Sequence, residues 1–319
     1  MRVEACTVSG RVGEKRKAAA PLVAFALLLW AAVPASAFDG KSAPGAPAKI
    51  PAKGFASPAQ ALRAGVADLN AGDAASSVEA LTYAADGGEA IARWKLGEMY
   101  ADGVVVPRDD LKAYHYFNQL VEEYDEDAPD ERNRGAISDA FVAVGVYSLS
   151  GIPGSEVRAD PERARLLFQY AATTFGNPDA EYDLAHMYLV GAGGLAKDNI
   201  TAARWLGLAA AKGHRPSQAL LGHLLFSGDG VPQQRARGLM WLQTAGKDAQ
   251  SPRDDWILNL CERDLASSSD MDRQMAGAML DERAKGPPLP SFISRSVVKT
   301  LQFLRPFNIA ASPSPKAGD

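Results

Sequence analysis

DAEYDLAHMYLVGAGGLAKDNITAARWLGLAAAKGHRPSQALLGHLLFSGDGVP, residues 179–232, decides the fold. Its first part reads as two short helices. Ala180, Leu184, Ala185 and Tyr188 fall at i, i+4, i+5 and i+8, one apolar stripe of a 3.6-residue period. Asn177 ahead of Pro178 supplies an N-cap followed by proline at the first helical position. Gly191, Gly193 and Gly194 stop this helix. The second helix starts near Asp198 and carries Ala202, Trp205, Leu206, Ala209 and Ala210 as its stripe. Lys212 is expected in its last turn, with Gly213 ending it. The pattern begins again at Ser217. A helical pair this short cannot bury its stripe alone, so it must stack on copies of itself.

Working outward, the copies are present. The first helices align on two small residues six apart: Gly97 and Gly103, Gly145 and Gly151, Ala185 and Gly191, Gly222 and Gly228. The closing residues Gly103, Gly151, Gly191 and Gly228, read as the repeat turns, lie 48, 40 and 37 residues apart. The second helices align on an aromatic residue followed by a small or apolar one: Phe168 with Ala172, Trp205 with Ala209, Trp241 with Ala245, and more weakly Tyr116 with Leu120. Four units at a near-regular period predict an all-α fold, an α-solenoid of helix-turn-helix repeats. LGEMYADGVVVPRD at 96–109, LGHLLFSGDGVP at 221–232 and AAAKGH at 209–214 resemble the Sel1-like repeat family, a relative of the tetratricopeptide repeat. That resemblance implies a protein-binding scaffold with no one chemistry.

Toward the N-terminus, residues 1–37 read as a secretory signal peptide. Arg11, Lys15, Arg16 and Lys17 are basic, residues 18–33 are apolar, and Ala35-Ser36-Ala37 is a small-residue cleavage site, placing the cut between Ala37 and Phe38. Export to the periplasm and a chain that does not span the membrane after cleavage are the expectations. The segment carries a net charge of +3 against −4 for the whole, leaving −7. That balance argues against nucleic acid, whose binders show a basic face. Cys6 leaves with the signal, so Cys261 is expected to be alone and buried as a small hydrophobe.

Residues 38–57, with Pro44, Pro47 and Pro51, read as a flexible linker ahead of a solenoid over 58–285. Residues 58–86 hold two helices broken at Ala71-Gly72-Asp73, a capping pair. Seven of the ten residues 122–131 are acidic, read as a solvated loop between repeats. The second repeat has a long turn, GIPGSEVRADP at 151–161, and insertions in repeat arrays gather on one face, often the binding face. Ile152, Pro153, Gly154, Ser155 and Glu156 are therefore the candidate partner-binding residues, beside a groove of first helices. Met271, Met275 and Met279 lie at i, i+4 and i+8, read as core packing. Residues 286–319 are a proline-rich tail in which Val297, Val298, Leu301 and Leu304 share one helical face, able to touch a membrane, dock on the solenoid or stay disordered.

Residues 151–189, with AFDG at 37–40, resemble the periplasmic negative regulators of exopolysaccharide production of α-proteobacteria, and the likeness extends over about 58–285. That resemblance implies binding to the periplasmic domain of a membrane sensor histidine kinase, repression of its signalling, and control of exopolysaccharide and motility. A general periplasmic scaffold for envelope or polysaccharide-synthesis proteins is the alternative. Of His115, His186, His214 and His223, His186 and His223 occupy equivalent positions and read as a surface ladder. No nucleophile elbow, zinc-protease pair or phosphate loop appears. Neither an enzyme nor a metal, a cofactor or a small-molecule substrate is expected; the partner is a protein.

Overall fold

The computed structural model describes residues 54–247, 249 and 254–286, all within one compact unit. Among them there are twelve α-helices and no strand. They are α1 Pro58–Asn70, α2 Ala74–Asp86, α3 Ala90–Asp102, α4 Asp110–Glu122, α5 Arg134–Ser150, α6 Pro161–Tyr170, α7 Pro178–Val190, α8 Asn199–Ala211, α9 Arg215–Ser227, α10 Arg235–Lys247, α11 Asp255–Ala266 and α12 Asp270–Lys285. A single π-helical turn, Ala171–Phe175, follows α6. The signal segment, most of the linker (residues 54–57 are described), and the tail from 287 lie outside the described residues, as do Ala37 and Phe38.

The core is a string without a centre. One cluster gathers α1–α3 around Leu81 and Leu96, a second runs from α3 to α7 around Phe117, Tyr147 and Phe168, and a third runs from α7 to α12 around Leu206, Leu239 and Leu242. Tyr100 touches the first two; Tyr188 and Trp205 touch the second and third. This is how stacked repeats bury apolar surface that no pair could bury alone.

Two local devices repeat along it. A small residue in each first helix lies under a large one in the second. A Cβ added at Gly97 would stand 2.5 Å from the Phe117 ring, one at Gly145 2.5 Å from Phe168, and one at Gly222 2.8 Å from Leu242. Side-chain contacts in well-packed interiors leave no room for that, so glycine sets how closely the helices approach. The second device anchors the start of each second helix. The amides of Asp109, Asp160, Asp198 and Gln234 donate to the carbonyls of Tyr100, Ser148, Tyr188 and Leu225 at 2.6–2.9 Å. Asp109, Asp160 and Asp198 then cap their helices through their carboxylates.

The close-approach pairs correct the alignment of the second helices by one residue. Phe168 stands where Leu206 and Leu242 stand, so its partner in register with Trp205 and Trp241 is Leu167. Phe168 to Gly176 is also one residue longer than Leu206 to Gly213. The π turn at Ala171–Phe175 absorbs that extra residue. Lys212 is the C-cap of α8, and its ammonium leaves its own helix to meet the Gly176 carbonyl at 2.8 Å and the buried Glu181 carboxylate.

The histidine ladder is corrected too. His186 is buried, and His214 is 1% exposed, where it caps α9: its Nδ1 accepts from the Ser217 amide at 3.3 Å. That leaves its Nε2 as the N–H facing Asp179, 3.2 Å away. His223 is taken by Asp264 at 2.7 Å. Stacking of successive repeats encloses His186 and His214 and leaves His223 half-buried. Cys261 is buried, as expected of a small hydrophobe.

Candidate protein-binding groove

The long turn of the second repeat is folded tightly. Gly151 ends α5 with φ +67°, and the Ile152 amide donates to the Val157 carbonyl at 2.9 Å. Inside the turn, the Ser155 hydroxyl donates to the Ile152 carbonyl at 2.9 Å and accepts from the Val157 amide at 3.1 Å. Ile152 is packed into the core cluster between α3 and α7. This corrects its place among the candidate contact residues: an apolar side chain in the middle of an exposed loop serves better as its anchor. Pro153, Gly154 and Glu156 are exposed and Ser155 is half-buried, so the anchored loop presents these four. The other closing glycines, Gly103, Gly191 and Gly228, take φ of +67°, +75° and +74° in the left-handed region that suits glycine.

Held in this way, the loop forms one wall of a groove of about 550 Å³. α4 supplies the opposite wall through Tyr114, His115 and Asn118, and the start of α6 supplies Glu162 and Arg163. Arg163 crosses the junction between repeats. Its guanidinium donates to the Tyr114 hydroxyl at 3.2 Å and to the Asn118 side-chain oxygen at 3.0 Å. His115 lies 3.5 Å from the Glu156 carboxylate, tying the loop to α4. The buried Ser148 hydroxyl lines the floor. Behind the wall, Tyr147 donates to Asp110 at 3.0 Å, and burial, with the Asp110 charge second, pushes its phenol far above the ordinary tyrosine range. It stays a neutral donor that locks α4 to α5.

The groove therefore offers alternating charge, with Arg158 and Arg163 against Glu156, Asp160 and Glu162, on a rigid frame. Such a surface suits the polar backbone and side chains of another protein. Sequence reasoning placed Glu156 there but missed Tyr114, Asn118 and Arg163. The available signal was modest: Tyr114 and Asn118 are four apart on one face of α4, the first buried and the second half-buried. Among the described residues, no group of three or more His, Cys, Asp or Glu could hold a metal ion, and no helix is long and apolar enough to cross a membrane.

The Sel1 repeat family matches residues 90–123, 142–173, 178–214 and 215–248, each unit containing one of the four closing glycines. Two curated relatives share the chain beyond its repeats. An exopolysaccharide production negative regulator of Rhizobium meliloti is 32% identical over 272 residues, which cover 84% of this chain and 96% of that protein. The chain belongs to this family of Sel1-repeat regulators. A protein of the same name from Rhizobium leguminosarum bv. viciae is 36% identical over 216 residues, covering 67% of this chain and 78% of that one. The solved Sel1 repeat protein of Oxalobacter formigenes, 24% identical, superposes with a TM-score of 0.50 over 72% of this chain and 87% of its own, a likeness of fold. The α-solenoid read from the repeat period is thus the observed fold of this chain.

Proposed function

We propose that this chain is exported, cleaved between Ala37 and Phe38, and acts in the periplasm as a negative regulator of exopolysaccharide production. It does so by binding the periplasmic domain of a membrane sensor histidine kinase and holding it in its quiet state, which also sets motility. The observation that carries this reading is the likeness to the Rhizobium meliloti regulator across 96% of that protein. Stacked repeats supply the physical means, because a preformed surface loses little ordering entropy on binding. A binder shifts a kinase only through its differential affinity for the two states. The groove beside Pro153, Gly154, Ser155 and Glu156 is the contact surface in this reading.

Deleting the gene should raise exopolysaccharide and lower motility, and a second deletion of the kinase should erase both effects. Mild crosslinking in the periplasm should capture the kinase with wild type and lose it with Glu156→Arg, while the melting temperature is unchanged. N-terminal sequencing of the periplasmic protein should start at Phe38. Normal polysaccharide in the deletion strain, with no kinase captured, would leave a general envelope scaffold as the better account.

A further inference from the structure

The last helix has two committed faces. Inward, Ala276 is fully buried, Leu280 packs on the third core cluster, Asp272 bonds Arg235 at 3.0 Å, and the Arg283 guanidinium lies 4.2 Å from the centre of the Trp241 ring. Outward, Met271, Met275 and Met279 are 68%, 48% and 38% exposed, which corrects their reading as core. They are i, i+4 and i+8 on one helix, so with Ala278 they form an apolar strip about 12 Å long at 1.5 Å per residue. A solenoid needs a terminal element with a polar outer face. α12 ends in the opposite condition.

We propose that residues 291–305 of the chain's own tail form a short amphipathic helix that docks on this methionine strip and caps the solenoid. The sequence of the segment fits the strip. The sequence Gly286-Pro287-Pro288-Leu289-Pro290 is a helix stop, and its five residues match the length of connections between antiparallel neighbours. Ser291 stands at an N-cap position, and Pro306 ends the helical stretch one residue after Arg305. Between them Ile293, Val297, Leu301 and Leu304 fall at i, i+4, i+8 and i+11, a single stripe that spans the length of the methionines. Charge agrees: Arg295, Lys299 and Arg305 flank that stripe, and α12 exposes Asp281, besides Asp270 and Glu282, which are paired with Arg273 and Lys285. Methionine suits such a seat because its flexible thioether packs against irregular partners. A five-residue tether also makes the segment its own high-concentration ligand.

Methionine oxidation tests this directly. Dilute peroxide should oxidise Met271, Met275 and Met279 in the full chain about fivefold more slowly, or slower still, than in a chain cut after Gly286, the factor that about 1 kcal/mol of docking would give. The full-length variant Leu301→Asp with Leu304→Asp should match the cut chain, while the buried Met99 and Met187 stay slow in all three. Equal rates in wild type and both variants overturn the proposal. Protection that vanishes on dilution overturns it in favour of a second copy of the chain. Protection that appears only with anionic phospholipid vesicles overturns it in favour of a membrane surface.

Discussion

The α5–α6 junction and the α7–α8 junction are successive copies of one unit, held by different chemistry. At the first, Phe168 sits on Gly145, and Tyr124, Phe141, Tyr170 and Phe175 pack ring against ring, with Phe141 and Tyr170 stacked at 4.8 Å. Tyr124 meets Phe175 edge-on at 5.5 Å, and Arg134 lies 5.0 Å from the centre of that ring. At the second, Leu206 and Ala185 share one core cluster, and the ends are tied by polar contacts: Glu181 paired with Lys212, Asp179 facing His214, and the Gln218 amide donating to the Ala210 carbonyl at 3.1 Å. Burial raises the Glu181 carboxyl above its ordinary value, and the Lys212 ammonium pulls it partly back. The common part is the small residue under the large one and the anchored N-cap. Those set the geometry of the repeat, so the surrounding side chains are free to be aromatic or ionic.

The difference predicts unequal costs. Phe168→Ala should lose about 3–5 kcal/mol, the usual range for emptying a buried ring. Lys212→Met should lose about 1–3 kcal/mol, the cost of leaving a buried acceptor unsatisfied, because Glu181 then has no cation beside it. Urea unfolding followed by circular dichroism compares the two. A larger loss for Lys212→Met would show that charge, not packing, carries the array.

The closing turns come next in size. Gly191 has φ +75°, and a Cβ there would lie 3.3 Å from the Lys197 amide. Gly191→Val should cost about 1–3 kcal/mol through backbone strain. An unchanged melting temperature would mean that this turn has a right-handed alternative.

A sharper comparison uses one substitution at two helical glycines. Gly145→Ala drives a Cβ to 2.5 Å from the Phe168 ring, whereas Gly207 on α8 has open space at that position. Gly207→Ala should therefore stabilise by about 0.5–1 kcal/mol through helix propensity. Gly145→Ala gains the same propensity but pays about 1–3 kcal/mol of overpacking, and so should destabilise. Shifts of the same sign in the two melting curves would refute the idea that Gly145 fixes helix separation.

What the sequence revealed divides along the same line. The repeat period, the closing glycines and the N-caps were legible because each is local: a spacing of six, a glycine at positive φ, an aspartate one residue before its helix. The register of Phe168 was missed by one residue because the π turn that absorbs the offset has no sequence signature of its own. The groove was half legible. An insertion is visible in sequence, but its opposite wall comes from Tyr114 and Asn118, some forty residues away. The burial of His186 and His214 was hidden for a similar reason. In a stacked array the neighbouring repeat covers a face that an isolated helical wheel shows as polar.

The smallest expected effect concerns acid. Asp109 and Asp198 hold equivalent N-cap positions, and both carboxyls are held below their ordinary value. For Asp109 the leading cause is the amide of Lys112; for Asp198 it is the hydroxyl of Thr201, 2.6 Å away, together with that residue's amide. A carboxyl whose value is lowered by folding stabilises fully above its unfolded value of about 3.9, and that share is lost as the pH falls through the lowered folded value. Glu181 runs the other way, since its raised value favours the fold at low pH and that share is lost as the pH rises through it. Asparagine caps helices about as well as aspartate but does not titrate. The double variant Asp109→Asn with Asp198→Asn should therefore melt close to wild type near neutral pH and fall less steeply below about pH 4. If the two chains lose melting temperature in parallel on acidification, the caps are not the acid-sensitive groups. The N-caps would then act through geometry alone, and the anchored start of each second helix would be indifferent to the charge of its capping side chain.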